Sequence, residues 1–373
     1  MHVCHLCDSS VEGDYFRNIT AGLTRNGVCV TLVEIGSGSP PTWLSEIPNA
    51  KYFSLRAGNK LSLPLAVWRL ARLLKGESVD ILHTHLFNSG LIGILAQRLH
   101  RKTIVALMRH HTGVVRMLGT RLHVAADRWM AEKADRVMTV SQAARAYMLG
   151  VDGIKRDDIE VVYLGFDFEK MSPNAEDRKR VRREFGFEAD DFVVGYVGNF
   201  APGKGHVQII QAFAKIIAEI PKARLFFAGR GMLPEVEMAA AKFPVGKVVF
   251  AGWRNDISAC LNAMDVFVQP SQSEAFSQVL IEAMGVGLPV IATDVGGASE
   301  VVDNGVNGIL IDANDTYSIH REVMRLFRDE PFRKAMAGAG MDSVRERFTA
   351  EQMIARQLAL YENWMEQRTN GGI

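Results

Sequence analysis

The chain has 373 residues, 48% hydrophobic and 23% charged, with a formal net charge of +1. That is an ordinary globular composition and too long for one ordinary domain, so two domains of roughly 150–200 residues are expected. No apolar run approaches the ~20 residues needed to span a bilayer, and MHVCHLCDSS lacks the charged-then-apolar order of a secretory leader. A cytoplasmic protein is expected, with peripheral contact at the inner face of the membrane left open.

In chain order, HVCHLC (2–7) reads as a buried strand. Its Cys4 and Cys7 form a CxxC with no second CxxC nearby, and packing is the expected role. The loop SSVEGDY follows, then a helix through FRNITAGLTRNG that Gly27 ends, then the strand VCVTLVEI. LPLAVWRLARLLKG is an amphipathic helix with Pro64 at its start. Its Trp68, Arg69, Arg72 and Lys75 could rest on anionic lipid; the plainer reading puts Trp68 in the core. VDILHTH is a strand, GLIGILAQRLH a helix, TIVALMRHH and DRVMTVS strands. His83 and His85 share one face of their strand by its period of two. That HxH could hold zinc in a metal-dependent hydrolase, but no further carboxylate or cysteine is spaced to complete the set.

The stretch NAEDRKRVRREFGFEADD reads as a linker with a short helix, after which strands and helices alternate again. FVVGYVG, ARLFFAG, KVVFAGW, VFVQPS, PVIAT and GILID are strands; HVQIIQAFAKIIAEI and ISACLNAM are helices. Apolar strands separated by helices indicate parallel sheets covered on both faces, so the expected class is α/β with two doubly wound halves. Ligands of such sheets sit at the carboxyl ends of the strands, and the cleft between two halves is the default site. The halves also differ in charge. Residues 1–165 carry 20 Lys and Arg against 14 Asp and Glu, and residues 166–373 carry 23 against 28. The basic half fits an anionic ligand, a membrane surface or a merely solvated face.

Two segments carry the chemistry. GNFAPGKG (198–205) lies between a strand and a helix, where glycines let backbone N–H groups approach a phosphate and Lys204 can serve as a point charge. It falls short of a P-loop because Gly205 replaces the magnesium-holding hydroxyl, and it is not a dinucleotide GxGxxG fingerprint. SQSEAFSQVLIEAMGVGLPVIAT (271–293) carries Glu274 and Glu282. On one helix their side chains would stand about 80° apart, each able to accept two hydroxyls of a ribose or hexose. The N–H groups of Phe276, Ser277, Gln278 and Val279 would form a helix N-terminus suited to a diphosphate. The plainer reading makes Ser271 and Glu274 a capping box and leaves Glu282 solvated.

These segments, with VDILHTH, RHH, ADRVMTVS, VVYLGFD, ARLFFAGRG and VVFAGWRNDI, resemble the family-four retaining glycosyltransferases of GT-B fold, two Rossmann-like domains facing a central cleft. The resemblance covers nearly the whole chain and is strongest over 190–312. It implies an N-terminal acceptor-side domain (1–167), a C-terminal nucleotide-sugar donor domain (168–349) and a C-terminal helix (350–373) that returns to the first domain, with hinge closure completing the site.

The glutamates would be the family's E-x7-E pair, Glu274 facing the transferred sugar and Glu282 the ribose. Catalytic roles would fall to Glu274 and His110, with His111 as the alternative because RHH leaves the register open by one residue. Donor binding would fall to Gly198, Asn199, Lys204, Phe276, Ser277, Gln278, Val279 and Glu282. Gly13, Arg230, Trp253 and Arg254 are weaker candidates. Asn199 stands where the family usually has arginine, which removes one phosphate-neutralising charge. The resemblance implies transfer of a sugar from a UDP- or GDP-linked donor to an acceptor hydroxyl with retention, in polysaccharide, cell-envelope or glycolipid synthesis. It implies no metal and no cofactor, a glycan, lipid-linked or small-molecule acceptor, and no nucleic acid. A sugar-nucleotide epimerase of the same architecture is the alternative, besides the hydrolase and a non-catalytic binding protein.

Overall fold

A computed structural model describes residues 1–8, 11–36, 38–58, 60–112 and 119–370. The chain divides into two compact units, Met1–Phe166 with Ala350–Ile373, and Asp167–Thr349. Each is built on one parallel sheet with alternating helices. The first unit holds β1 (His2–Cys7), β2 (Cys29–Glu34), β3 (Ala50–Ser54), β4 (Ile81–His85), β5 (Ile104–Arg109), β6 (Arg136–Thr139) and β7 (Ile159–Val161), in the order β3-β2-β1-β4-β5-β6-β7. The second holds β8 (Phe192–Val197), β9 (Ala223–Ala228), β10 (Val248–Phe250), β11 (Val266–Gln269), β12 (Val290–Thr293) and β13 (Ile309–Ile311), in the order β10-β9-β8-β11-β12-β13. The order reverses between β1 and β4 and between β8 and β11. Loops leaving the carboxyl ends of those four strands therefore diverge and leave a crevice in each unit.

In the first unit β1, β4 and β5 are buried along nearly their whole length because helices cover both faces. The reading from sequence passes over β3. This edge strand alternates between half-buried and exposed residues and lacks the apolar run that marks its neighbours. It also passes over the helices Arg121–Lys133 and Gln142–Gly150. Trp68 is not in the core. It is 50% exposed on the helix Leu63–Gly76, with the Arg72 guanidinium 4.9 Å above its ring, and Leu61 and Leu65 are exposed nearby. Among the described residues no helix is long and apolar enough to cross a membrane.

The helix Ala350–Thr369 completes the first unit. Its Met353, Ile354, Leu360, Tyr361 and Trp364 are buried, and Gly165 and Phe166 meet its start through backbone bonds to Met353 Sδ and from Ala350 N.

The charged stretch after residue 173 is not a linker. Asn174 caps the helix Ala175–Glu184 by accepting from the N–H groups of Glu176 and Asp177. Arg178 then bridges to Asp265 at 2.6 Å and to the carbonyls of Asn262 and Met264, while Asp265 accepts from Val193 N in β8. Arg182 is buried and donates to the Asp191 carbonyl. High charge suggests solvent, but these guanidiniums find fixed acceptors at the amino end of the second sheet, so the helix is part of the second unit.

Tyr361 is fully buried and hydrogen-bonded, so Tyr361→Ala should lower stability by about 3–5 kcal/mol, the usual range for deleting a buried aromatic ring. The urea midpoint reads this directly; a loss below about 1 kcal/mol would mean that the C-terminal helix does not pack as described.

Candidate active site

In the second unit the loop 198–205 leaves β8 and the loop 270–277 leaves β11, on either side of the switch point. Gln272 N donates to the Gly203 carbonyl at 2.7 Å and so ties the two loops together. Gly205 has φ +78°, and a Cβ there would lie 2.1 Å from the Pro270 carbonyl oxygen, so only glycine permits this approach. His206 opens the helix His206–Glu219, its ring stacked on Phe200 at 4.4 Å and edge-on to Tyr196 at 4.6 Å. The loop bearing Lys204 is thus pinned at both ends.

Lys204 Nζ lies 2.6 Å from Glu274 Oε1. The same oxygen accepts from Ser271 Oγ at 2.8 Å and from Gln269 Nε2 at 2.9 Å. Three donors fall on Oε1 and, among the described residues, none on Oε2, which leaves that oxygen for a ligand. Glu274 belongs to the loop, since the helix spans only Gln278–Gly285. The 80° separation on one helix therefore does not apply, and Ser271 supports the Glu274 carboxylate rather than forming a capping box. Behind it, a Cβ on Gly296 would fall 1.6 Å from the Glu274 carbonyl oxygen, while Gly297 N donates to that oxygen at 3.3 Å. Gln269 and Gly296 were not singled out from the sequence, although the glycine pair shortly after a strand was a signal for close backbone approach.

The helix Gln278–Gly285 has no side-chain cap. Its N-cap Ser277 donates instead to Gln269 Oε1, which leaves the first-turn N–H groups at Gln278 and Val279 for an anion. Phe276 is buried against Phe348, and Glu282 is half-buried within the helix.

The remaining cations differ in availability. Asn199 Oδ1 accepts from Arg230 N, and the Arg230 side chain lies over the Trp253 ring at 4.8 Å. This joins Asn199, next to Gly198, with Arg230 and Trp253 just past the ends of β8, β9 and β10. Arg254 is not part of that group. It is paired with Glu184 at 2.5 Å and Asp256 at 2.8 Å, which commits its charge to structure.

In the first unit, four histidines gather at the β1–β4–β5 end. His5 Nδ1 lies 3.0 Å from His85 Nε2, and His85 Nδ1 lies 3.0 Å from His110 Nε2. His83 is stacked on His85 at 4.3 Å and bonded through Nδ1 to the Tyr361 hydroxyl. His5 was missed from the sequence. Parallel pairing of β1 and β4 sets it beside His83 in register, a contact that neither strand discloses alone.

One ring nitrogen from each of His5, His83 and His85 lies within 4.8 Å of the others. Tetrahedral zinc at about 2.0–2.1 Å from each nitrogen would need them roughly 3.4 Å apart. It would also take up a nitrogen of His85, both of which are bonded to other histidines, with no anionic ligand in the set. His111 is distinct from His110: it neighbours the buried Arg109, which pairs with Asp127 at 2.8 Å and Asp152 at 2.7 Å. Gly13 is the N-cap of the helix Asp14–Arg25, with φ −65° and open space where a Cβ would go, so no close approach requires glycine there. Ser9 and Ser10 of the SSVEGDY loop lie outside the described residues.

The model named "Glycosyl transferases group 1" matches residues 177–342, and "Glycosyltransferase Family 4" matches residues 13–170. The chain is 30% identical over 277 residues, 70% of each chain, to the UDP-Gal:alpha-D-GlcNAc-diphosphoundecaprenol alpha-1,3-galactosyltransferase of Escherichia coli. It is 27% identical over 314 residues to the N-acetyl-alpha-D-glucosaminyl L-malate synthase of Bacillus anthracis, covering 82% of this chain and 80% of that one. Among solved structures, Anabaena HepE in complex with UDP and glucose superposes with a TM-score of 0.81 at 23% identity, over 96% of this chain and 99% of that one. Sucrose-phosphate synthase of Thermosynechococcus elongatus gives 0.85 at 23% identity, over 98% and 100%. At this identity the two structures speak for the fold.

Burial holds the histidines neutral. His5 is pushed down to about 3 and His110, His111 and His206 to about 4, burial being the largest cause in each, while His83 and His85 lie well below the usual value. In the unfolded chain they titrate near 6.5. Below that pH the unfolded state binds more protons, so their contribution is complete above about 6.5 and declines as pH falls toward about 4, by up to about 1.4 kcal/mol per pH unit for each group. The urea midpoint should be level between pH 7 and 8 and fall steeply below 6.5, less steeply in His5→Leu. A midpoint unchanged between pH 6.5 and 5 would contradict the burial described here.

Proposed function

The chain belongs to the family-4 glycosyltransferases of GT-B fold, and on that premise we propose that it transfers a hexose from a UDP-linked donor to an acceptor hydroxyl with retention of anomeric configuration. The observation that carries this reading is the Glu274 carboxylate, loaded with three donors on Oε1 and left with Oε2 for a hydroxyl of the transferred sugar. Lys204 and the uncapped N–H groups at Gln278 and Val279 hold the donor diphosphate, and Glu282 accepts from the ribose. Arg230, adjacent to Asn199, supplies the cation that position 199 lacks, and Trp253 lies beside the nucleobase. The choice of UDP is supported by the names of the Escherichia coli relative and the Anabaena complex.

Departure of the diphosphate leaves an oxocarbenium-like sugar, as in glycoside hydrolysis. The incoming hydroxyl attacks C1 from the face the phosphate leaves, and a phosphate oxygen takes its proton. His110, neutral at physiological pH, bonds to the transferred sugar. Charge on the leaving diphosphate is met by Lys204, Arg230 and helix N–H groups, so the reaction proceeds without a metal. The acceptor is a glycan or lipid-linked glycan used in polysaccharide or envelope synthesis. The exposed Leu61, Leu65 and Trp68 beside Arg72 provide a peripheral contact with the membrane.

UDP release from UDP-glucose, UDP-galactose and UDP-N-acetylglucosamine, with GDP-mannose as control, tests the proposal in the presence of EDTA and candidate acceptors. Acceptor-dependent release from one UDP-sugar, unaffected by EDTA, is expected. Glu274→Gln or Lys204→Ala should lower kcat by about 10²–10³-fold. Arg230→Ala should raise the donor KM about 10-fold, as loss of one charge-assisted contact does. Release only after metal addition, or epimerised sugar formed without acceptor, would overturn the reading.

A further inference from the structure

The first unit carries more histidine chemistry than one sugar contact requires, and the hydrogen bonds among the rings have a direction. In the chain His5 Nδ1–His85 Nε2 and His85 Nδ1–His110 Nε2, a neutral imidazole bonded at both nitrogens must donate through one and accept through the other. One choice of proton therefore sets all three rings. The far end is His5 Nε2, buried with no hydrogen-bond partner. A buried N–H without an acceptor is the costlier orphan, whereas an unused lone pair is tolerated more often. That places the His5 proton on Nδ1, where it is donated to His85 Nε2. His85 then carries its proton on Nδ1 and donates it to His110 Nε2, and His110 is left with its proton on Nδ1.

The second branch obeys the same rule. The Tyr361 hydroxyl donates to Gln357 Oε1 at 3.3 Å, and Gln357 Nε2 donates to the Tyr15 hydroxyl at 3.3 Å. Tyr361 can then only accept from His83, which puts the His83 proton on Nδ1, and again the orphaned nitrogen, His83 Nε2, carries a lone pair. Tyr15 and Phe16 set their ring edges against His85 at 5.7 and 5.2 Å and hold it in plane with its partners. His110 is half-buried at the end of β5, and its Nδ1 has no partner among the described residues.

We infer that His85, backed by His5, is a positioning residue that fixes His110 in its Nδ1–H tautomer, so that His110 presents a hydrogen-bond donor to an oxygen of the transferred sugar. The role given to the sugar rests on the function proposed above; the tautomer does not. Free imidazole favours the Nε2–H form, so a fixed Nδ1–H form is a measurable departure.

The test uses the full chain labelled with 15N-histidine, reading ring tautomers from long-range 1H–15N couplings at pH 7.5, with His110 assigned by loss of its signals in His110→Gln. Wild type should show His110 as Nδ1–H and His85 as Nδ1–H. His85→Phe keeps the ring but removes the donor; His110 should shift toward Nε2–H, and kcat should fall about 10-fold or more with donor KM little changed. His85→Asn, whose amide N–H stands where Nδ1–H stood, should restore the tautomer and most of the rate. An Nε2–H His110 in wild type overturns the inference without any variant, and so does an unchanged tautomer in folded His85→Phe. If the tautomer responds as expected while kcat does not, the relay stands and the catalytic reading of His110 falls.

Discussion

The ion pair between Lys204 and Glu274 determines how the second unit's strand ends can be used. Each charge lies where the other satisfies it, the carboxylate only 12% exposed and the ammonium 34% exposed, on two loops that meet backbone to backbone. A carboxylate so placed must be hydrogen-bonded to be tolerated, and Ser271 and Gln269 complete its shell on the same oxygen. An incoming diphosphate would compete with Glu274 for Lys204. The site is therefore set between two arrangements, and the surrounding glycines confine the exchange to side chains. Gly205 and Gly296 admit no side chain beside Pro270 and Glu274, so the loops cannot separate locally without losing that packing.

Much of this was legible in the sequence, for identifiable reasons. Strands buried on both faces leave unbroken apolar runs such as IVALM, VFV and PVIA, and a helix between each pair makes a parallel sheet the economical solution. The loop glycines and Lys204 could be marked because phosphate-approaching loops restrict residue type so strongly. What failed followed from local reading of non-local facts. An 80° separation of the glutamates needs one helix through both, yet the Glu274 carboxylate is held on a loop by Lys204, Gln269 and Ser271, and the helix waits until Gln278. The charged run after Asn174 looked like a linker because the acceptors that fix Arg178 lie far along the chain, at Asn262, Met264 and Asp265.

The histidine stack shows the same limit from the other side. HVCHLC, ILHTH and RHH are unremarkable apart from the HxH, and only the β1–β4–β5 order sets His5, His83, His85 and His110 ring against ring. Tyr361 and Gln357 then come from a helix more than 200 residues further along. Neutral imidazoles are what burial permits there, and neutral rings suit a hydrogen-bonded chain with one defined direction.

The central claim is that Lys204 and the Gln278 helix N-terminus hold a diphosphate, and calorimetric titration of UDP and of uridine in EDTA tests it most directly. The account predicts that UDP binds on the order of 100-fold or more tightly than uridine, and that Lys204→Met removes most of the difference while leaving uridine binding in place. UDP binding no tighter than uridine, or a difference that survives in Lys204→Met, would contradict it.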